Sequence, residues 1–438
     1  MSLAKNSFTI FYSKVIITFL AFVVQIILSR KVGPEALGVY NLFLATVGTF
    51  IFLGNFGVGN ASIYLINKQK KNPIQLLSNI LIFGILWGII LAGVFFLIFL
   101  TFPYLFSGLS INYIFLVFLA IPLTLLHNYL LPFFLAKFQI SKWTLLSILC
   151  DFLILLGTII MVIVLGFGIK GAIWAVVISY VVTLLFILLY IFKLFLPSFV
   201  FNVRLFYEEI KFGVSSYLGD IFSGAKISFM LSAFIINVSL GIAGVGYYSV
   251  AYNIAAILLF IPFSFQQILY SKWSISDEKE VDRRTPEIGR QILILGFLVA
   301  LFLTLVGKQF IILFFGKGFY LAFLPMLWVL PGFIFMSFAS IFFNNFFAKG
   351  KPYITTIILA ITLTINVVLS LVLIPIPTIG MNGASISISI SYFIAAILSI
   401  LIFAKNSGYS FWKIIIVKPV DFKNFYFNFR NVFRFKKY

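Results

Sequence analysis

The chain has 438 residues, of which 63% are hydrophobic and 10% are charged, and its formal net charge is +20. This composition excludes an ordinary soluble protein, because a chain of this length cannot bury so many apolar side chains away from water. The charge does not indicate nucleic acid as a partner, since the basic residues lie between apolar segments, where they can meet the anionic face of a lipid bilayer. The single cysteine, Cys150, excludes an internal disulfide.

Apolar segments long enough to cross a bilayer follow one another along most of the chain. A helical crossing needs about 20 predominantly apolar residues, and these segments are too long and unbroken for outer-membrane strands. The first lacks a small-residue cleavage site, which predicts a retained helix rather than a signal peptide. The polar stretches 194–210 and 271–287 are predicted connections. Twelve spans are predicted, at residues 10–29, 38–65, 77–102, 111–136, 143–166, 171–192, 211–238, 245–270, 288–314, 321–347, 353–374 and 379–404.

The first span carries polar residues along one helical face. Lys14, Thr18, Gln25 and Ser29 follow one another at intervals of four and seven residues, which places them within a narrow arc of a helix. In a lipid-bathed helix such a stripe faces protein or water, so it is a candidate cavity lining, with hydrogen bonding in a dry helix interface as the alternative. Arg30 ends the span and is a candidate either for gripping a phosphate or for reaching the headgroups.

The seventh predicted span contains Asp220, Ser223 and Lys226 in an otherwise apolar stretch. Lys226 falls near mid-depth, where a charge costs about 2.5–3.5 kcal/mol or more. It therefore needs an anionic partner, and Asp220, Asp151 in the fifth span and an anionic ligand are the alternatives. We predict that these residues line one polar cavity together with the stripe of the first span.

The two halves of the chain repeat short motifs in the same order. The pairs are GPEALGVY at 33–40 with GIAGVGYY at 241–248, FLAK at 134–137 with FFAK at 346–349, and GIKGA at 168–172 with GMNGA at 380–384. They predict an all-α integral membrane protein with two six-helix lobes, residues 1–205 and 206–405, related by a pseudo-twofold axis along the membrane normal. The basic, aromatic segment 406–438 is predicted to lie in the headgroup layer or to be a disordered tail.

The stretches LSRKVGPEALGVYNLFLATVG, FFAKGKPYITT and GMNGASISISISY resemble the bacterial polysaccharide-biosynthesis flippases, the Wzx-type O-antigen and capsule exporters. These belong to a superfamily that also contains the multidrug-and-toxin extruders and the lipid II flippase. The resemblance covers nearly all of the first 405 residues. It implies a cavity with alternating access and, as cargo, a polyprenyl-pyrophosphate-linked oligosaccharide crossing the inner (plasma) membrane. A cationic lining that includes Lys14 and Lys226 would attract the pyrophosphate.

The distribution of the 31 Lys and Arg residues predicts that both termini are cytoplasmic, because most of them fall on one side when the spans alternate. No phosphate-binding loop is expected, since the Gly219–Gly224 spacing is followed by Ala-Lys-Ile within a span. With one Cys and one His, no metal cluster or other cofactor is expected. Transport would then depend on an ion gradient, with Na⁺ or H⁺ as the coupling ion, or on downhill substrate flow.

Two other functions fit parts of the sequence. A cation-coupled multidrug antiporter of the same superfamily commonly uses a carboxylate in its first helix, whereas span 1 has Lys14 and no Asp or Glu. A membrane-embedded glycan polymerase or glycosyltransferase would need substantial loops with catalytic residues, and the connections in this chain are short. We therefore expect a transporter and not an enzyme.

Overall fold

The computed structural model describes residues 3–194, 200–223, 225–260, 273, 277–416, 418–419 and 421, without the side chains of 3–8, 194, 215–216, 218–223, 225 and 226. This part of the chain is almost entirely helical. The helices are α1 Leu3–Gly54, α2 Val58–Asn67, α3 Pro73–Thr101, α4 Ile111–Leu130, α5 Pro132–Ala136, α6 Ile140–Thr158, α7 Gly168–Leu194, α8 Val203–Ser223, α9 Ala225–Leu240, α10 Ile242–Ala255, α11 Glu278–Phe315, α12 Phe323–Ala348, α13 Pro352–Leu373, α14 Asn382–Ser407 and α15 Phe411–Ile415.

Ten helical segments among the described residues are long and apolar enough to cross a membrane. The first, Thr9–Gly54, has 46 residues and contains predicted span 1 and most of predicted span 2. Predicted span 7 is covered by α8 and α9, of which Ile227–Leu240 is a shorter apolar helix. The prediction of an all-α integral membrane protein is confirmed, while the count of twelve spans stays a prediction.

Several predicted boundaries were wrong. Span 2 was expected to continue to residue 65, but α1 ends at Gly54 and a separate helix begins at Val58. The stretch 194–210 was expected to be a connection, yet α8 begins at Val203. At the end of α1 the chain bends with almost no change in hydropathy, and α8 starts with an amphipathic stretch inside a polar segment. Composition therefore did not indicate either boundary.

The backbone packs into two compact units. Unit 1 consists of Met1–Val250, Phe310–Ala322 and Ile374–Met381, and unit 2 consists of Ala251–Gln309, Phe323–Leu373 and Asn382–Tyr438. The predicted lobe boundary at 205/206 therefore falls inside unit 1, because residues 206–250 pack with the first half of the chain. The division into two repeat-related lobes stays a prediction.

Matched glycines break the helices at equivalent points of the two repeats. Gly33 has φ 81° and Gly241 has φ 80°, a left-handed conformation that residues with a Cβ rarely adopt. Gly168 and Gly380 are a second matched pair, with φ 56° and 54°. The repeated motifs thus encode repeated backbone turns, which favours a structural role for these glycines.

Two other repeat-related glycines allow α1 and α10 to cross in backbone contact within unit 1. A Cβ on Gly38 would collide with the carbonyl oxygen of Ile242, and a Cβ on Gly246 would collide with that of Pro34. Ile242 and Gly246 each lie 208 residues after Pro34 and Gly38. The contact is therefore reciprocal, as expected at a local pseudo-twofold axis.

In unit 2, α12 and α14 also approach closely. The amide of Gly332 donates to the hydroxyl of Ser389 over 3.0 Å. The first part of the predicted tail also packs in this unit, since Arg290 on α11 forms an ion pair of 2.7 Å with Asp421. The segment 406–421 is thus partly docked, and the residues beyond 421 lie outside the described part of the chain.

Candidate functional site

A buried polar network lies next to the α1–α10 crossing. The side-chain amides of Gln25 and Asn41 bind each other reciprocally over 3.0 and 3.2 Å. The Asn41 amide also donates to the hydroxyl of Ser249 over 3.0 Å, and Asn41 and Ser249 are equivalent in the repeat. All three side chains are buried. Gln25, which was predicted to line a cavity, thus belongs to a satisfied network that links the two halves of α1 to α10.

Of the other residues in the polar stripe on α1, Ser29 is buried, whereas Lys14 and Thr18 are not. Thr18 is exposed, and its hydroxyl donates to the carbonyl of Lys14 in the same helix over 2.9 Å. Lys14 is partly buried. Arg30 is exposed and donates from Nε to the carbonyl of Phe314 over 3.0 Å, and also to the carbonyl of Leu313. These carbonyls end α11, where the helix dipole favours a cation. A role for Lys14, Thr18 or Arg30 toward a ligand stays a prediction.

The remaining predicted site residues lie on α6, α8 and α9. Asp151 is partly buried on α6, within electrostatic range of Tyr40 and Tyr180. Asp220 and Ser223 belong to α8 and Lys226 to α9. The side chains of these last three lie outside the described residues, so the partner of Lys226 stays a prediction.

A helix break that the sequence did not indicate lies between α1 and α2. Phe56 and Gly57 both have positive φ, at 47° and 67°. The carbonyl groups freed by the break are paired with aromatic side chains. Trp87 Nε1 and Tyr129 Oη both donate to the carbonyl oxygen of Gly54, over 3.1 and 2.7 Å. These hydrogen bonds satisfy the carbonyl group at the end of α1, which has no partner within the helix.

A polar cavity of about 220 Å³ opens beside this break, entirely within unit 1. A drug-sized ligand pocket has a volume of about 300–1,000 Å³, so this cavity suits a small polar group or a few waters. It cannot enclose a whole lipid-linked saccharide. Its lining is neutral and rich in amides, which donate and accept hydrogen bonds as sugar hydroxyls do. The lining residues are Asn55, Gly57, Gly59, Asn60, Asn128, Pro132 and Tyr217.

Helix α8 packs along α2 and the break through one face. Glu209, Gly213 and Tyr217 lie at four-residue intervals and so share this face. The Ser62 hydroxyl donates to Glu209 Oε1 over 3.0 Å. A Cβ on Gly213 would lie 2.5 Å from the Phe56 carbonyl oxygen, so the backbones touch. The Tyr217 hydroxyl donates to the carbonyl of Phe52 over 2.8 Å. We call this contact the α2–α8 dock.

Glu209 is the most distinctive group of the dock, and the sequence did not single it out. Its residue is 0% exposed. Burial raises the pKa of its carboxyl to about 8, and the Ser62 hydrogen bond opposes this rise. The carboxyl is therefore mostly protonated at neutral pH. The signal that could have revealed it is an acidic residue that shares a face with Gly213 and Tyr217.

The family model described as "Polysaccharide biosynthesis protein" matches residues 3–270. Three solved structures resemble the chain at 15–19% sequence identity, which establishes a shared fold. An inward-facing multidrug resistance MATE family transporter of the MOP superfamily gives a TM-score of 0.71 at 19% identity, over 90% of this chain and 94% of that chain. The lipid II flippase MurJ, in an inward closed conformation, gives 0.71 at 15% identity over 98% of each chain.

The third structure is a MOP superfamily transporter from Pyrococcus furiosus, with a TM-score of 0.60 at 18% identity over 92% of this chain and 95% of that chain. No curated protein sequence matches the chain. The fold is thus that of MOP superfamily transporters and flippases.

Proposed function

Because the chain belongs to the family of polysaccharide biosynthesis proteins, we propose that it flips a polyprenyl-pyrophosphate-linked oligosaccharide from the cytoplasmic to the outer leaflet. The site of action would be a bacterial inner (plasma) membrane, with both termini cytoplasmic, and the product would feed O-antigen or capsule assembly. The family match carries this proposal, since it spans the whole first half and the α1–α10 crossing. The MurJ fold over 98% of both chains supports a lipid-linked cargo.

The cargo combines a polyanion, a polar glycan and a long lipid, and each needs a different surface. We assign the pyrophosphate to the predicted cationic lining, Lys14 and Lys226, with Arg30 toward the outer end. Asp151, Asp220, Thr18 and Ser223 would complete the polar lining, whereas Gln25 is held in the buried network with Asn41. The lipid chain would remain in the bilayer. The small amide-lined cavity at the α1–α2 break could receive one polar group of the glycan.

Alternating access requires a region that stays in contact while other parts move. The reciprocal glycine contact of α1 and α10, held by Asn41 and Ser249, supplies such a fixed point. The left-handed backbone turns at Gly33 and Gly241 lie one to two helical turns before it. We assign the pivot of the cycle to this crossing, with an ion gradient of Na⁺ or H⁺, or downhill cargo flow, as the driving force.

A cation-coupled multidrug antiporter is the second candidate, because the MATE transporter reaches the same TM-score as MurJ. The sequence favours the flippase. Span 1 offers Lys14 where such antiporters commonly use a carboxylate, and a cationic lining repels cationic drugs.

Deleting the gene in its host tests the function. The expected result is loss of surface polysaccharide and build-up of the lipid-linked intermediate in the cytoplasmic leaflet. Complementation with the Lys226→Gln protein should restore export on the order of tenfold less than wild type, if Lys226 binds the pyrophosphate. Lys170→Gln, at an exposed lysine in the first turn of α7, is the matched control and should restore export fully. Normal polysaccharide in the deletion strain would exclude the proposed function.

A further inference from the structure

We propose that Glu209 is a proton-binding site that controls the α2–α8 dock. The protonated carboxyl holds α8 on α2, and loss of the proton releases it. As a step of the transport cycle, this inference rests on the proposed function and makes H⁺ the coupling ion. As a property of the dock itself, it does not depend on the cargo.

The position of Glu209 makes the dock sensitive to its charge. The dock is close-packed, with backbone contact between Gly213 and the α1–α2 break and stacking of Phe212 on Tyr64 at 4.0 Å. Glu209 is fully buried in this contact. A carboxylate placed there would lose its hydration and gain little in return, which is strongly unfavourable. The neutral acid can stay in place without that penalty.

Hydrogen-bond geometry also fits a protonated carboxyl. Ser62 Oγ lies 3.0 Å from the carbonyl oxygen of Val58 and 3.0 Å from Glu209 Oε1. A hydroxyl has one proton and can serve only one of these acceptors. Because this proton is shared with Val58, Ser62 gives the carboxyl at most one hydrogen bond, which is too little to compensate for the lost hydration of a buried carboxylate. The other oxygen, Oε2, has no hydrogen-bond partner among the described residues.

The neighbouring acid, Glu208, has the cationic partner that a charged carboxylate requires. It forms a 2.7 Å ion pair with Lys71, and both side chains are about a third exposed. In the part of the chain that the structure describes, no Lys, Arg or His forms an ion pair with Glu209. Of these two adjacent acids, the paired one therefore lies at the surface and the buried one lacks a counter-charge.

Other titratable groups around the dock either form contacts with other residues or are exposed. Tyr129 on α4 is within electrostatic range of Glu209, but its hydroxyl donates to Gly54. On α2, Tyr64 stacks on Phe212, and Lys68 after α2 lies over the Tyr64 ring. Helix α3 carries no Asp, Glu, Lys, Arg or His. His127 on α4 packs on Tyr180. On α8 itself, Arg204 and Lys211 are exposed.

The chemical step is a single proton transfer. Glu209 in the docked state is the carboxylic acid. On release, its O–H bond breaks, the proton passes to water, and the carboxylate becomes hydrated as α8 separates from α2. Redocking requires a proton to be taken up from water. In the proposed orientation, the lysines 68, 70 and 71 after α2 place this exchange at the cytoplasmic side.

Hydrogen–deuterium exchange of the full-length protein in nanodiscs, between about pH 6 and about pH 10, tests the dock without any cargo. After correction for the intrinsic pH dependence of exchange, peptides of α2 and α8 should become less protected with a midpoint near pH 8. Glu209→Gln, which mimics the neutral acid, should abolish this transition. Glu208→Gln is the matched control and should retain it. Ser62→Ala should move the midpoint to higher pH, because its hydroxyl favours the carboxylate.

An infrared titration gives a second, direct readout. The wild type should show a protonated carboxyl band at neutral pH that disappears near pH 8 and is absent from Glu209→Gln. A pH-independent dock in the wild type, or a transition that persists in Glu209→Gln, would overturn the proposal. If the proton-dependent dock is present but the protein does not move the lipid-linked saccharide, only the proposed function fails. If flipping occurs with a pH-independent dock, only the proton site fails.

Discussion

Two buried carboxyl groups, Glu209 in unit 1 and Asp421 in unit 2, are 0% and 2% exposed but have opposite charge states. Burial would raise the pKa of Asp421, but two hydrogen bonds from Arg290, one from the Lys418 amide and their charges bring it below its usual value. Among the described residues, only Ser62 forms a hydrogen bond with Glu209, and burial raises the pKa of Glu209 to about 8. The charge state of a buried carboxyl group therefore depends on whether it has a cationic partner. Asp421 is ionised at neutral pH and its ion pair with Arg290 fixes the start of the tail, whereas Glu209 is a neutral acid that can titrate.

The largest expected effect is the pH dependence of stability caused by Glu209. The folded protein binds this proton more tightly than the unfolded chain, so its contribution is complete below pH 4.5 and is lost as the pH rises to about 8. The loss amounts to about 5 kcal/mol. Denaturant unfolding at a series of pH values should show this decline in the wild type and not in Glu209→Gln. Equal pH profiles for both proteins would show that Glu209 is ionised throughout.

Removing the partner of Asp421 should convert it into an unpaired buried charge. Arg290→Gln breaks the ion pair and the contacts with the carbonyls of Lys413 and Ile414, and should cost about 3–5 kcal/mol of unfolding free energy. Arg283→Gln, at an exposed position of the same helix, should change stability by less than about 0.5 kcal/mol. Similar small effects for both variants would mean that the pair contributes nothing. Because the pKa of Asp421 is lowered, its contribution should disappear as the pH falls through that pKa.

The substitution Ser62→Ala tests the hydrogen bond to Glu209 separately from the charge of Glu209. Ser62→Ala should cost about 1 kcal/mol at neutral pH through the lost hydrogen bond, and should shift the decline in stability to higher pH. Thr101→Ala removes an exposed hydroxyl that bonds only within its own helix and serves as the control. An unchanged pH profile in Ser62→Ala would show that the hydroxyl does not influence the acid.

The smallest effect is expected for the exposed pair beside the dock. Lys71→Gln breaks the 2.7 Å contact with Glu208 and should change the free energy of unfolding by at most about 1 kcal/mol, because solvent and salt screen such pairs. Thermal unfolding at low and high salt measures it. A loss comparable to that of Arg290→Gln would contradict the view that breaking an ion pair lowers the free energy of unfolding strongly only where the pair is buried.

The repeat-related features could be predicted from the sequence because they need particular residues. A positive φ at Gly33 and Gly241 and backbone contact at Gly38 and Gly246 both require glycine, and the requirement appears as a recurring motif. The Gln25 stripe was predicted, but its partner Asn41 was not, since helical periodicity indicates a face and not the neighbour that covers it.

Glu209 could not be recognised from the sequence for a related reason. The stretch around it is polar enough to resemble a connection, and only the packing of α8 on α2 makes this acid buried while Glu208 remains at the surface. The break between α1 and α2 was also missed. Its backbone is stabilised by Trp87 and Tyr129, which are distant in sequence and indistinguishable there from other aromatic residues of apolar helices.

Reconstitution in vesicles tests the central claim most directly. Purified protein is inserted into liposomes that contain a fluorescent polyprenyl-pyrophosphate-linked saccharide, and the labelled lipid that reaches the opposite leaflet is measured over time. The account predicts transfer well above that of protein-free vesicles, with a dependence on pH that Glu209→Gln removes. Transfer equal to that of protein-free vesicles, together with exchange of a cationic drug against H⁺ or Na⁺ by the same preparation, would contradict it.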